Sequence, residues 1–177
     1  MDLNKLSSLE RRIMRELAKN AGEPLNKKEI AEHIGVSQTA VAKALTVLEK
    51  HQLAVIRNVG NVKLTAVELN LENDDAARFK RLDSLHQLYD CGFVQALAQT
   101  HPGTTATLFG SYERGEDTIR SDIDIALIGN ERAMNLEQYE KKLRRKINIT
   151  YIRKFSELPV PLKTNIMNGY VLFGRLA

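Results

Sequence analysis

The 177-residue chain has one cysteine, Cys91, four histidines, four prolines and no tryptophan. A lone cysteine cannot close an internal disulfide, and His33, His51, His86 and His101 stand at none of the Cys/His spacings of a structural zinc site. Long hydrophobic runs are also missing. Stretches such as Tyr170-Val171-Leu172-Phe173 fall far short of the roughly 20 apolar residues that span a bilayer. The opening residues Met1-Asp2-Leu3-Asn4 lack the basic-then-apolar layout of a secretory signal, so no membrane association and a cytoplasmic location are expected.

What is present suits a folded chain: 43% of residues are hydrophobic and 27% charged, which argues against wholesale disorder. The length fits two compact modules of roughly 70 and 100 residues. The formal net charge of +4 is unevenly distributed. Residues 1–70 carry eleven basic against eight acidic side chains, and residues 71–177 fifteen against fourteen. The excess in the first module is a mild pointer to a polyanionic partner.

Ser7-Ser8-Leu9-Glu10 has the form of a capping box, and Leu9, Ile13, Met14 and Leu17 follow at helical spacing until Asn20-Ala21-Gly22. Asn26-Lys27-Lys28-Glu29 repeats that chemistry ahead of a short helix closed by Gly35. Ser37 is placed to cap a third helix with Val41, Leu45 and Leu48 on its inner face. Two β-prone runs, 53–57 and 62–67, then flank the turn Asn58-Val59-Gly60-Asn61 and read as a hairpin. Helix, tight turn, helix and wing resemble the winged helix-turn-helix transcription regulators, with 36–50 as recognition helix and a module boundary near residue 70. That resemblance implies DNA as a partner. Ser37, Gln38, Thr39 and Lys43 would face the major groove, and Arg57, Asn61 and Lys63 on the wing would meet the phosphate backbone. Such regulators commonly pair on two half-sites, so a homodimer is part of the expectation. The alternative is a protein-binding wing with solvated polar residues.

Residues 71–100 read as a helical connector: Asn73 and the following aspartates cap a helix whose Phe79, Leu82, Leu85, Tyr89, Phe93 and Leu97 form one apolar stripe, with Gly92 as a candidate break. In residues 101–177, the β-prone run 104–109 delivers Gly110-Ser111 at its end, where backbone N–H groups and a hydroxyl can hold an anion. The alternating run 121–128 places Asp122 and Asp124 on one face and Ile123 and Ile125 on the other. Paired carboxylates call for a cation, and hard oxygen donors favour Mg²⁺ completed by water and substrate phosphates. A phosphate loop beside such a pair suits in-line transfer of a nucleotidyl group.

Gly110-Ser111-Tyr112-Glu113-Arg114-Gly115 running on to Ser121-Asp122-Ile123-Asp124 resembles the signature of the minimal nucleotidyltransferases within the DNA polymerase beta-like superfamily. The resemblance implies a mixed-sheet α/β domain, making the whole chain α+β. It further implies ATP or another nucleoside triphosphate, two Mg²⁺ ions, Asp122 and Asp124 as catalytic metal ligands, and Gly110, Ser111 and Arg114 on the phosphates. A protein acceptor such as a toxin, or an RNA, is implied as well. The family carries a third carboxylate on a later strand, here 146–152, and that position holds Asn148, which has no charge and cannot act as a base. Two readings stay open: a working transferase, or a nucleotide-sensing or partner-docking regulator without turnover. Residues 141–154 contain seven basic residues and no acid, which fits either a polyanion groove or a solvated face.

Overall fold

The computed structural model describes residues 5–59 and 64–176; the wing positions Asn61 and Lys63 lie outside the described residues. The chain forms two compact units, Met1–Lys80 and Arg81–Ala177, and the break falls inside a helix, α4 (Asp74–Asp90). The stretch 71–100 is thus shared between the units.

In the first unit each helix begins where a side chain can satisfy the orphan amides of its first turn. In α1 (Ser8–Lys19) the Glu10 amide donates to Ser7 Oγ at 3.2 Å and the Ser7 amide to Glu10 Oε2 at 2.8 Å. The same reciprocal cap, Asn26 with Glu29, opens α2 (Lys27–Ile34), which Gly35 closes in a left-handed conformation. Ser37 Oγ accepts from the Ala40 amide at the head of α3 (Gln38–Lys50). Strands β1 (Ala54–Val59) and β2 (Leu64–Leu69) pair antiparallel, and a bridge from Leu25 to Val67 ties the α1–α2 link to the hairpin. Ile13, Met14, Leu17, Ile30, Val41, Leu45, Leu48, Leu53 and Val67 make the core, so the inner faces inferred for α1 and α3 are the buried ones.

The apolar stripe inferred from residue 79 to 97 is corrected at two positions: Phe79, Leu85, Phe93 and Leu97 pack on the cores, but Leu82 is 65% and Tyr89 46% exposed. The buried residues of α4 are Ala76, Lys80, Asp83, Ser84 and Leu88, on a face that positions 82 and 89 miss. The Tyr89 hydroxyl instead donates to the Leu172 carbonyl at 3.1 Å. The helix does break at Gly92 (φ 82°), after which α5 runs Phe93–Thr100.

The second unit is built on a mixed four-stranded sheet of order β5-β4-β3-β6. Antiparallel partners β4 (Ile123–Ile128) and β6 (Tyr170–Phe173) flank β3 (Thr105–Phe109). Strand β5 (Ile147–Ile152) lies parallel to β4, which requires the crossover supplied by α7 (Glu137–Leu143). One sheet face packs Ile123, Ile125 and Leu127 against Leu88, Phe93, Leu97, Tyr139 and Leu143. On the opposite face a smaller cluster joins Ala126 and Ile152 to Ile166 of α8 (Val160–Met167). That second cluster covers only the far end of β4, leaving the end that carries Asp122 and Asp124 open to solvent.

Several charged and polar groups inside this unit are paired, although the buried Thr107 hydroxyl has no hydrogen-bond partner among the described residues. Arg145, counted by sequence within an exposed basic run, is buried, and its guanidinium meets the equally buried Asp117 carboxylate at 3.3 Å. Glu113 pairs with Arg81, and the Tyr112 hydroxyl reaches the Ser84 carbonyl. Asp117→Ala should destabilise the second unit by about 3–5 kcal/mol, because it removes a buried counter-charge from the Arg145 guanidinium. Lys28→Ala, which breaks the exposed Lys28–Glu32 pair of α2, should cost no more than about 0.5 kcal/mol. Urea titration followed by circular dichroism checks both.

Candidate functional site

Alternation along β4 puts Asp124 and Ala126 on one face, Asp122 immediately precedes the strand, and the register between strands gathers the remaining groups around them. Asp124 lies opposite Phe109 across the β3–β4 ladder, so the turn that follows Phe109 arrives beside the carboxylate. Gly110 occupies that turn with φ 83° and ψ −160°, a conformation natural only to glycine. The backbone conformation is what demands glycine; a Cβ there would also press on Asp124 Oδ2 at 2.8 Å and displace that carboxylate oxygen. Ser111 then opens the single-turn helix α6 (Ser111–Arg114), and Gly115 ends it in a left-handed conformation.

On the other side of β4, the parallel register sets Asn148 of β5 directly against Asp124. The Asn148 amide donates to Asp122 Oδ2 at 2.9 Å. Asp122 and Asn148 are exposed, whereas Asp124 is half-buried. Burial raises the Asp124 carboxyl above the ordinary carboxylate range; the Asn148 amide offsets part of the rise and the Asp122 charge adds to it. Among the described residues no group of three His, Cys, Asp or Glu side chains converges. The oxygen donors at hand are the two carboxylates and the neutral Asn148 carbonyl. This set fits Mg²⁺, which tolerates few protein ligands and keeps water and phosphate oxygens in its shell.

Gly110, Ser111, Asp122, Asp124 and Asn148 are thus brought together by three adjacent strands. Arg114 is exposed and its guanidinium is engaged by Glu116 at 2.7 Å. In the first unit Ser37, Gln38, Thr39 and Lys43 all lie exposed on the first turns of α3, and Arg57 lies exposed on β1. Sequence reasoning missed the buried frame beneath the phosphate loop: Tyr112, Glu113 and Asp117, held by Ser84, Arg81 and Arg145 respectively. Only the closeness of Glu113 and Asp117 to the Gly-Ser turn hinted at it, because their partners are distant in sequence.

Residues 91–170 match the family model of the nucleotidyltransferase domain, and residues 6–52 match that of winged helix-turn-helix DNA-binding proteins. A Methanocaldococcus jannaschii protein, provisionally named a protein adenylyltransferase, is 44% identical over 68 residues, which cover 38% of this chain and 52% of the relative. The chain spans about half the length of that curated relative. Among solved structures, the adhesin competence repressor of Streptococcus pyogenes is similar over 55% of this chain and 69% of its own, with 21% identity and a TM-score of 0.44. Lactococcus lactis ZitR in complex with DNA is similar over 56% and 64%, with 23% identity and a TM-score of 0.43. The chain joins a winged helix-turn-helix domain of the DNA-binding kind to a nucleotidyltransferase domain.

Proposed function

We propose that the protein transfers a nucleoside monophosphate from ATP to a hydroxyl acceptor, and that its winged helix holds it on DNA as a transcription regulator. The observation that carries the transfer is the convergence of Gly110, Asp122, Asp124 and Asn148 at the open end of β4. The name of the archaeal relative supports an adenylyl donor and a protein hydroxyl as acceptor, with RNA the second acceptor class.

The Gly110-Ser111 turn receives the triphosphate, since its backbone approaches Asp124 with no side chain between. Asp122 and Asp124 would hold Mg²⁺, with the Asn148 carbonyl oxygen as a neutral third donor, and such an ion would supply charge neutralisation at the phosphates. The acceptor oxygen attacks the α-phosphorus from the side opposite the leaving group, and its proton passes to Asp124, because Asn148 has no basic oxygen. The loss of one negative charge at position 148 also favours the second reading, a nucleotide sensor that binds ATP without turnover.

Asp124→Asn should lower Mg²⁺-dependent transfer of label from α-labelled ATP by roughly 100-fold or more, leaving DNA affinity intact. Parent protein that binds an ATP analogue with Mg²⁺ yet labels no acceptor would establish the sensor instead. The same variant tests the electrostatics in EDTA. Because folding raises the Asp124 pKa, its ionised form costs stability, and this cost is full above the raised value and vanishes below the ordinary Asp value of about 3.9. Asp124→Asn should therefore melt above the parent at neutral pH, with the difference closing on acidification, as read by thermal denaturation across pH.

For the DNA surface, Lys43→Ala should weaken a selected duplex by about 1–3 kcal/mol if it reads a base. Arg57→Ala should weaken all sequences alike and lower the salt slope by about 1, as expected of a phosphate contact. Fluorescence anisotropy across a salt series distinguishes the two.

A further inference from the structure

A groove of about 620 Å³ opens beside Asp122, between the loop 119–122 on one side and α7 with the link Arg144–Lys146 on the other. Gly110 and Ser111 do not line it; they lie at the end of β3, across β4 from β5. In an in-line displacement the attacking oxygen and the leaving pyrophosphate stand on opposite sides of the phosphorus. A triphosphate on the β3 side therefore leaves the β5 side, where the groove lies, for the acceptor.

Strand β5 is also an edge of the sheet. The carbonyls of Lys146 and Ile152 accept from Ile123 and Gly129, so the even-numbered residues face β4. The Ile147 amide points outward and is taken by Glu140 Oε1 at 3.0 Å. Alternation turns the N–H and C=O of Ile149 and Tyr151 to that same outer edge, where they have no partner among the described residues. Basic side chains bracket this edge, with Arg144 and Lys146 at its start and Arg153 at its end, whereas the next residue, Lys154, is paired with Glu157 at 2.9 Å.

We propose that an extended, acidic segment of the acceptor protein adds to the outer edge of β5, seats its carboxylates near Arg144 and Lys146, and presents a Ser, Thr or Tyr hydroxyl to Asp122 and Asp124. An edge strand recognises a polypeptide backbone, and offers nothing equivalent to a nucleic acid. In the transfer, the hydroxyl oxygen bonds to the α-phosphorus and the bond from that phosphorus to the bridging oxygen breaks. Pyrophosphate leaves with the electron pair, and the hydroxyl proton goes to solvent by way of Asp124. The identity of the reacting hydroxyl rests on the transferase reading above, whereas the docking does not.

The test uses the full chain and a fluorescent glutamate-rich peptide with a central Thr-Tyr-Thr. It is compared with its lysine-rich counterpart, a version N-methylated at alternate residues, and a short single-stranded RNA. Anisotropy without ATP should show the acidic peptide binding roughly ten-fold tighter than the lysine peptide, with a similar loss on N-methylation. Lys146→Glu should erase the charge preference, and the N-methylated probe tests the same surface on the unaltered protein. Equal binding of the two charge types, indifference to N-methylation, or tighter binding of the RNA would each overturn the proposal. Binding that meets these expectations without label transfer from ATP supports the docking surface and counts against the transferase reading alone.

Discussion

Two carboxylates, one in β4 and one immediately before it, are the constraint around which the second unit is organised. Asp124 is placed by the alternation of β4 and Asp122 by the residue just before it, and basic side chains reach only the groove beside Asp122. The nearest groups are a glycine backbone and a neutral amide, so Asp124 sits in an environment that disfavours its own charge. That imbalance is useful only if something positive arrives, and the neighbourhood admits it. Gly110 leaves room beside Asp124, and α8 covers the sheet face only at the far end of β4. The core residues Ile123, Ile125 and Leu127 on the opposite face are what a charged pair of this kind needs, since they anchor the strand that the charges would otherwise loosen.

The ion pairs under the phosphate loop, one fully buried and one with an exposed arginine, belong to the same logic. The loop between α6 and β4 contains few apolar residues, yet it must hold the Gly110-Ser111 turn in place. Asp117 with Arg145, and Glu113 with Arg81, anchor it from below. Buried pairs add little net stability, but each specifies one arrangement of a loop that packing alone would leave poorly defined. Asn148 extends the scheme to β5. In place of a third carboxylate it donates to Asp122, which lowers the negative charge of the site and removes one candidate base.

The first unit obeys shorter-range rules. Each of its helices starts at a cap three or fewer residues from the amide it satisfies, and its core follows directly from helical spacing. Its polar residues at the head of α3 are free of core duties, except that Ser37 also caps its own helix. The two units accordingly differ in how they present function: one displays an exposed helix surface, and the other assembles a site from three strands.

Local chemistry explains how much the sequence alone determined. Caps, hairpin turns and the period-two run of β4 act over a few residues, so the winged helix, the placement of Asp122 with Asp124 and the break at Gly92 are legible in the order of the residues. Position 148 is legible as well, because the run that holds it has the pattern of a strand in isolation. Tertiary structure decided what depends on distant partners. The parallel register that sets Asn148 against Asp124 requires the α7 crossover. The burial of Arg145 requires Asp117 from another loop, and the exposure of Leu82 and Tyr89 reflects which face of α4 finds cover. An apolar stripe states what a helix is able to bury, but only the surface it meets settles which residues go inside.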